Sequence, residues 1–408
     1  MSELPRSFVA VGGGQATASA VRTLRRRGFE GRVTVLADEP HAPYQRPPLS
    51  KEFLRGESTT AELTCLDEPW CLAHDVELLR GTRAVSVEPG RVRLEDGASV
   101  PGDAVLLATG ARPRRLAGFD EERVVYLRTL DDAERLRELF ASAERLVIIG
   151  GGLIGSEVAS SARAEGLAVT VLEALRLPML GQLGPSLARW YADLHREFGV
   201  DLRCAQRIST VESTTGGVVV RTEDDVFEAD LIVVAVGAEP NDSVALESGL
   251  ALAPAGGIVI DENCRTAMPG IFAGGDVAAY PSGDRHMRFE HFDNAVQQGT
   301  AVARALIGKP GRAVDRAPWF WSDQYGFGLQ FVACPHPDAQ LVVRGSIAER
   351  NFLACYLRDG TLEAAFAVGR GDEIPAVKEL ITAGSPVSSQ TILDEETDLF
   401  ELLDSATV

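Results

Sequence analysis

No stretch of this 408-residue chain approaches the ~20 consecutive apolar residues that a membrane-spanning helix requires, although 45% of the residues are apolar. The composition is that of a soluble chain of two to three domains with ample material for large cores. Cysteine pairing is also missing. The six cysteines, Cys65, Cys71, Cys204, Cys264, Cys334 and Cys355, form no CxxC motif and no zinc spacing, so they read as reduced, mostly buried thiols. The six histidines include no HExxH or similar pair, so no metal site is expected. Positive charge is scarce: 40 Lys and Arg against 59 Asp and Glu give a net charge of −19, which argues against nucleic acid or anionic membranes as partners. The first residues run straight into a strand pattern without a charged leader and apolar core, so the expected location is cytoplasmic.

Glycine, by contrast, is placed with purpose. Two segments, Val9–Thr17 (VAVGGGQAT) and Val147–Glu157 (VIIGGGLIGSE), read as a strand, a glycine turn and the start of a helix. In such a turn the first Gly permits the tight reversal, the second lets a pyrophosphate approach the backbone, and the helix N-terminus holds the phosphates. The second copy is complete, with Gly150, Gly152 and Gly155 after the strand Arg145–Ile149, a helix from Leu153 to about Glu165, and Gly166 as its C-cap. The following strand Ala168–Leu172 ends at Glu173, 23 positions after Gly150. A carboxylate there binds a ribose 2′-hydroxyl and repels a 2′-phosphate, so NAD(H) is expected rather than NADP(H). The first copy keeps Gly12 and Gly14 but has Thr17 in place of the third Gly, which predicts a helix standing slightly farther from its strand. Its acid is Asp38, after the strand Arg32–Leu36. Two such turns, each with a downstream acid, imply two dinucleotides.

The rest of the chain repeats this layout. Short strands run from about Val76 to Leu107 and end at LLATGARP (Leu106–Pro113), where Gly110 gives the backbone freedom to approach a cofactor. A helical pattern over Leu130–Ala143 leads into the second glycine turn, and that unit closes on LIVVAVGAEPN (Leu231–Asn241), a turn of the same kind. The segment TAMPGIFAGGDV (Thr266–Val277) returns to the first pattern and ends on Asp276, a carboxylate placed to accept hydrogen bonds from a ribityl chain. One domain is thus interrupted by another.

Five further segments sharpen this: YQRPPLSK (Tyr44–Lys51), YLRTLDDA (Tyr126–Ala133), FAGGD, RFEHFDNAVQQ (Arg288–Gln298) and WFWSDQY (Trp319–Tyr325). With these the whole chain resembles the FAD-dependent NADH reductases that deliver electrons to [2Fe-2S] ferredoxins in bacterial multicomponent oxygenase and cytochrome P450 systems. The resemblance implies an α/β, glutathione-reductase-like fold: an FAD domain over residues 1–112 and 245–315, an NAD domain over 113–244, and a C-terminal α+β interface domain over 316–408. It implies FAD contacts at Gly12, Gly14, Ala16, Asp38, Arg46, Lys51, Ala84, Thr109, Arg128, Asp276 and Phe292, and NAD contacts at Gly152, Leu153, Ile154, Glu157, Glu173 and Gly237. Two departures stand out. The family usually places arginines after Glu173, whereas here the run is ALRLPMLG with Arg176 displaced and Gly181 where an Arg is common, and His291 and Phe292 occupy a position that often holds a small or indole side chain.

The expected chemistry belongs mainly to the flavin, so the protein has only to orient the nicotinamide and manage charge. Lys51 and Glu157 are expected to form an ion pair beside flavin N5, with Trp321, Trp319 and Tyr325 as an aromatic wall, and the helix near Asn294 is expected to direct its dipole at flavin N1 and O2. No cysteine lies in the segment Asp38–Lys51, so the branch of such flavoproteins that needs a redox thiol is disfavoured. Arg304, Lys309, Arg312 and Arg316 are candidates for steering an acidic ferredoxin. The chain is expected to be a monomer or weak homodimer. Two alternatives remain open on sequence: an NADH oxidase or a reductase of rubredoxin or another carrier, and an NADH-responsive protein resembling apoptosis-inducing factor.

Overall fold

Near-continuous apolar runs such as SFVAV and RLVII are the pattern of strands buried on both faces of a parallel sheet, and both form the centre of one. The computed structural model describes residues 4–118, 123–214, 216–309, 312 and 316–405. These fall into two compact units, the first within 1–45, 60–112 and 238–315, and the second within 46–59, 113–237 and 316–408.

In the first unit, strand Ser7–Val11 lies at the centre of a five-stranded parallel sheet, with Arg32–Leu36 and Val76–Leu79 on one side and Ala104–Leu107 and Ile271–Ala273 on the other. Phe8 is paired with Val33 and Ala104, so the register brings the C-terminal ends of the three central strands together. Helix Gln15–Arg26 crosses helix Phe292–Leu306 at Gly299, where a Cβ would lie 2.2 Å from the carbonyl oxygen of Ala16. Only glycine allows that approach.

The second unit repeats the plan. Arg145–Ile149 is central in a parallel sheet with Ala168–Leu172 and Asp201–Arg203 on one side and Leu231–Val234 and Val124–Val125 on the other. The helix after its glycine turn spans Leu153–Ala164 and ends as expected at Gly166, at φ +88°. This unit also holds a five-stranded antiparallel sheet, in the order Trp319–Gln324, Phe327–Val332, Thr361–Val368, Asn351–Arg358, Gln340–Ser346. One face of that sheet packs Phe320, Phe331, Phe352 and Phe366 against Leu183, Leu187 and Tyr191 of helix Leu180–Glu197. The first two strands are joined by Tyr325 and Gly326, both at positive φ (53° and 81°), a two-residue turn whose twist matches the strands. Among the described residues no helix is long and apolar enough to cross a membrane.

Candidate functional site

The two glycine turns have the same construction. Gly12 is at φ +117° and a Cβ on it would meet the Ala108 carbonyl oxygen at 2.2 Å; Gly150 is at φ +105° and a Cβ would meet that of Ala235 at 2.3 Å. The neighbouring strand therefore passes too close for any side chain. Gly14 and Gly152 are the N-caps of their helices, extended, with no capping side chain and no acid in the first helical turn. A Cβ on either would meet no atom within 4 Å, so the uncapped N–H groups open onto free space. That is a cradle for an anionic pyrophosphate, and both turns fit a dinucleotide.

The copies differ where the sequence differs. A Cβ on Gly155 would sit 2.0 Å from the Gly150 carbonyl oxygen, a contact Thr17 cannot make at the equivalent position of the first turn. Instead the fully buried Thr17 donates its hydroxyl hydrogen to the Gly12 carbonyl at 2.7 Å, so that turn is closed by a side chain. The acids differ as well. Glu173 directly follows its strand and is buried, accepting hydrogen bonds from the Gly151 N–H at 2.8 Å and the Leu175 N–H at 2.7 Å. The equivalent position in the first unit is Ala37, against which Gly13 packs, and Asp38 is the next residue, exposed and paired with Arg83 at 3.3 Å.

Of the other first-unit residues, Ala16 is buried at the start of its helix, and Ala84 is buried at the start of strand Ala84–Glu88. The Thr109 hydroxyl donates to the Asn241 carbonyl at 2.6 Å, which ties the two ATG-type segments together. Asp276 follows Gly275, whose N–H donates to the buried Gln298 side chain at 2.8 Å, and the Asp276 carbonyl accepts from Arg288 at 2.9 Å. Phe292 opens helix Phe292–Leu306 with His291 as N-cap, and burial lowers the His291 pKa to about 4 against the opposing pull of Asp276 and Asp293.

In the second unit, Arg46 donates to the Arg128 carbonyl at 2.7 Å. Leu153 is partly buried against the aromatic core while Ile154, next to it, is 42% exposed. Gly237, at φ +101°, has open space where a Cβ would be, and its carbonyl accepts from the Arg114 N–H at 2.9 Å.

Lys51 and Glu157 meet. The Lys51 ammonium, only 3% exposed, lies 3.4 Å from Glu157 Oε1. It also lies 3.3 Å from Asp323 Oδ2 and 5.4 Å from the centre of the Trp321 ring, so one buried cation is shared by two carboxylates and an indole face. Glu157 accepts further hydrogen bonds from the Ser50 hydroxyl and, at 2.7 Å, from that of Ser322. Burial raises the Glu157 pKa above its ordinary range, and Lys51 and the two serines oppose that shift. Ser322 in turn accepts from Gln324 Nε2 at 2.7 Å, and Gln324 is bonded to the buried Tyr191 hydroxyl.

Sequence reasoning did not find Ser50, Ser322, Asp323, Gln324 or Tyr191. The signal available was the alternation in WFWSDQ, which buries Phe320, Ser322 and Gln324 and leaves Trp319, Trp321 and Asp323 partly exposed. Two polar residues on the buried face of a strand call for partners. Trp319 and Trp321 do stack, at 5.2 Å and 21° between planes. Tyr325 stacks on Phe198 at 4.4 Å, its hydroxyl lies 2.6 Å from His195 Nδ1, and its N–H donates to Ser160 at 2.7 Å, which together hold a non-glycine residue at positive φ. The basic cluster is partly offset, since Arg312 pairs with Glu262 at 3.4 Å and Arg316 with Glu379 at 3.5 Å.

Residues 6–299 match the pyridine nucleotide-disulphide oxidoreductase family model and residues 319–403 match the reductase C-terminal model. The chain is 36% identical to putidaredoxin reductase of Pseudomonas putida over 98% of its own length and 97% of the relative's. It is 37% identical to the anthranilate 1,2-dioxygenase system ferredoxin–NAD(+) reductase component of Burkholderia cepacia, over 95% and 97%. Among solved structures, the covalent putidaredoxin reductase–putidaredoxin complex superimposes with a TM-score of 0.92 at 36% identity, covering 98% of this chain and 99% of that one.

Proposed function

From the premise that this chain belongs to the pyridine nucleotide-disulphide oxidoreductase family, we infer that it reduces a [2Fe-2S] ferredoxin with electrons from NADH through bound FAD, supplying a multicomponent oxygenase or a cytochrome P450. The observation that carries this within the family is the buried Lys51–Glu157 pair in a chain with two dinucleotide turns and no cysteine in the segment Asp38–Lys51. Burial disfavours the thiolate at the two cysteines that follow the YQRPPLSK segment in sequence, pushing the Cys65 thiol up to about 12 and raising Cys71 likewise.

FAD, when bound, accepts hydride from NADH and releases electrons singly. The first glycine turn (Gly12, Gly14, Ala16) holds the FAD pyrophosphate, with Asp38, Arg46, Ala84, Thr109, Arg128, Asp276 and Phe292 as its further contacts. The second turn (Gly152, Leu153, Ile154) holds NADH, with Gly237 beside it. Glu173 selects against a 2′-phosphate because its carboxylate is fixed by two backbone N–H groups and cannot turn away. Lys51 would present a fixed positive charge to the flavin at N5, and Glu157, in helix Leu153–Ala164, keeps that ammonium in place and would orient the nicotinamide. Trp321 completes this site. The FAD domain corresponds to 1–112 with 245–315, the NAD domain to 113–244 and the interface domain to 316–408. The cytoplasm, where NADH and ferredoxin are supplied together, is the proposed location.

Anaerobic stopped-flow mixing with NADH and with NADPH, followed by Rieske-type and P450-type [2Fe-2S] ferredoxins, tests this reading. Rapid flavin bleaching by NADH and rapid cluster reduction are expected. Bleaching without electron delivery to either ferredoxin class, with fast reoxidation by oxygen, would replace the reductase by an oxidase.

A further inference from the structure

A hydride carries one proton and two electrons, and a [2Fe-2S] ferredoxin takes only an electron. The balanced turnover is therefore one NADH and two oxidised ferredoxins giving NAD+, two reduced ferredoxins and one proton. That proton has to travel from the reacting centre to water on every turnover.

We propose that Glu157, Lys51 and Asp323 form its exit path, with Glu157 the buried receiver, Lys51 the bridge and Asp323 the point of release to solvent. The inference rests on the reading that the Lys51–Glu157 pair faces flavin N5. Four observations within the second unit carry it. The Lys51 ammonium lies at nearly equal distances from the two carboxylates, 3.4 Å from Glu157 and 3.3 Å from Asp323. Two of the side chains are buried, Glu157 at 7% exposure and Lys51 at 3%, whereas Asp323 is 46% exposed, so of the three only the last meets water freely. The Ser50 hydroxyl has two acceptors within reach, Glu157 Oε2 and, at 3.4 Å, the Pro47 carbonyl. When Glu157 takes a proton, that hydroxyl can turn to Pro47 and accept from the new carboxylic acid, so the neutral form is also satisfied. Lastly, burial already biases Glu157 toward its neutral form.

The transfer leaves the cation in place. Lys51 gives one proton to Asp323 as it takes one from Glu157, so the ammonium persists and no unpaired buried charge forms. Among the described residues, Arg55 and Tyr191 also act on these groups. Arg55 interacts electrostatically with Asp323, and its Nη1 lies 3.4 Å from Ser161 Oγ. Burial raises the Tyr191 hydroxyl pKa and the charge of Glu157 adds to that rise, while Gln324 bridges the Tyr191 hydroxyl and Ser322. Neither provides a competing route, since Arg55 holds its proton permanently and the Tyr191 phenol is fully buried.

The test follows the proton and the electron separately in the FAD-loaded protein. NADH-reduced enzyme is mixed with excess oxidised [2Fe-2S] ferredoxin in weak buffer containing a pH-indicator dye, while cluster absorbance and the infrared difference spectrum are recorded. In the parent, proton release should keep pace with cluster reduction, and a protonated-carboxyl infrared band should rise and fall with it. In Asp323→Asn, proton release should lag cluster reduction by about tenfold or more, with a longer-lived carboxyl band, as expected when one proton-transfer group is lost. The band should be absent in Glu157→Gln, and Asp323→Glu should restore synchrony. Proton release that stays synchronous with cluster reduction in Asp323→Asn, or a carboxyl band that persists in Glu157→Gln, overturns the exit path. Failure of NADH to bleach the parent flavin is a different result, because it removes the reductase reading itself.

Discussion

Replacing Lys51 by Met keeps the length and most of the volume of the side chain while removing the charge that faces Glu157. At 3.4 Å and an effective dielectric near ~20, the lost attraction is about 5 kcal/mol. The protein does not pay all of this, because Glu157 escapes by taking a proton. Carrying a carboxyl from its ordinary pKa of 4.5 to neutral form at about pH 7 costs about 3 kcal/mol, which caps the loss of stability. The pH dependence has a definite sign. A carboxyl whose folded pKa is raised above its unfolded value contributes stability that is fully present below the unfolded pKa and is lost as pH rises through the folded one. The variant exaggerates that condition, so its penalty relative to the parent should be about 3 kcal/mol near pH 7 and shrink by up to about 1.4 kcal/mol per unit as pH falls toward 5. Urea unfolding of the flavin-saturated proteins, followed by tryptophan fluorescence at several pH values, measures it. A penalty independent of pH, or one that grows toward acid, would refute the view that an ionised Glu157 depends on Lys51. In the same variant, reduction of the flavin by NADH should slow by about 100-fold, the usual effect of deleting one fixed electrostatic group at a reacting centre.

Thr17→Val removes the hydroxyl that closes the first turn and leaves the Gly12 carbonyl without that bond, so stability should fall by about 1–2 kcal/mol with weaker flavin retention, measured by urea unfolding and by flavin loss on dilution. Glu173→Ala removes the carboxylate proposed to repel a 2′-phosphate, and the ratio of NADP+ to NAD+ dissociation constants should drop by about 100-fold in equilibrium titrations. His195 is buried with its pKa lowered to about 3 from 6.5, so its contribution is present above about pH 6.5 and is lost as pH falls toward 3, at up to about 1.4 kcal/mol per unit. His195→Gln should therefore flatten the acid limb of the stability curve, and an unchanged limb would show that other groups set it.

How far the sequence could be read varied with distance along the chain. The glycine turns were legible because their geometry is local: a strand, a reversal and a helix within about a dozen positions, with Gly12 and Gly150 required by carbonyls of the adjacent strand. The duplication was legible for the same reason, and the two five-stranded parallel sheets share one strand plan. Thr17 was legible as a departure, while the hydrogen bond it makes in compensation was not. Gly299 carried no sequence signal at all, since its need for glycine comes from Ala16, which lies in a helix near the other end of the chain. The Lys51–Glu157 pair was reachable only through the resemblance of the YQRPPLSK segment, because nothing local in that loop says which acid it meets.

By itself, then, the sequence carried the expectation of two dinucleotide cradles and of NADH rather than NADPH at the second, and it places no cysteine in the YQRPPLSK segment. These follow from the backbone and side-chain chemistry of short contiguous stretches. Only the tertiary structure decided what surrounds the buried ammonium. Ser322 and Glu157 are 165 positions apart, and Tyr191 and Gln324 are 133 apart. Their meeting depends on a strand of the antiparallel sheet, a helix that packs on it and the helix of the second glycine turn. Burial then turns the pairing of Lys51 with Glu157 and Asp323 from an incidental surface contact into a constrained one, because in a site with little water each charge requires a specific partner.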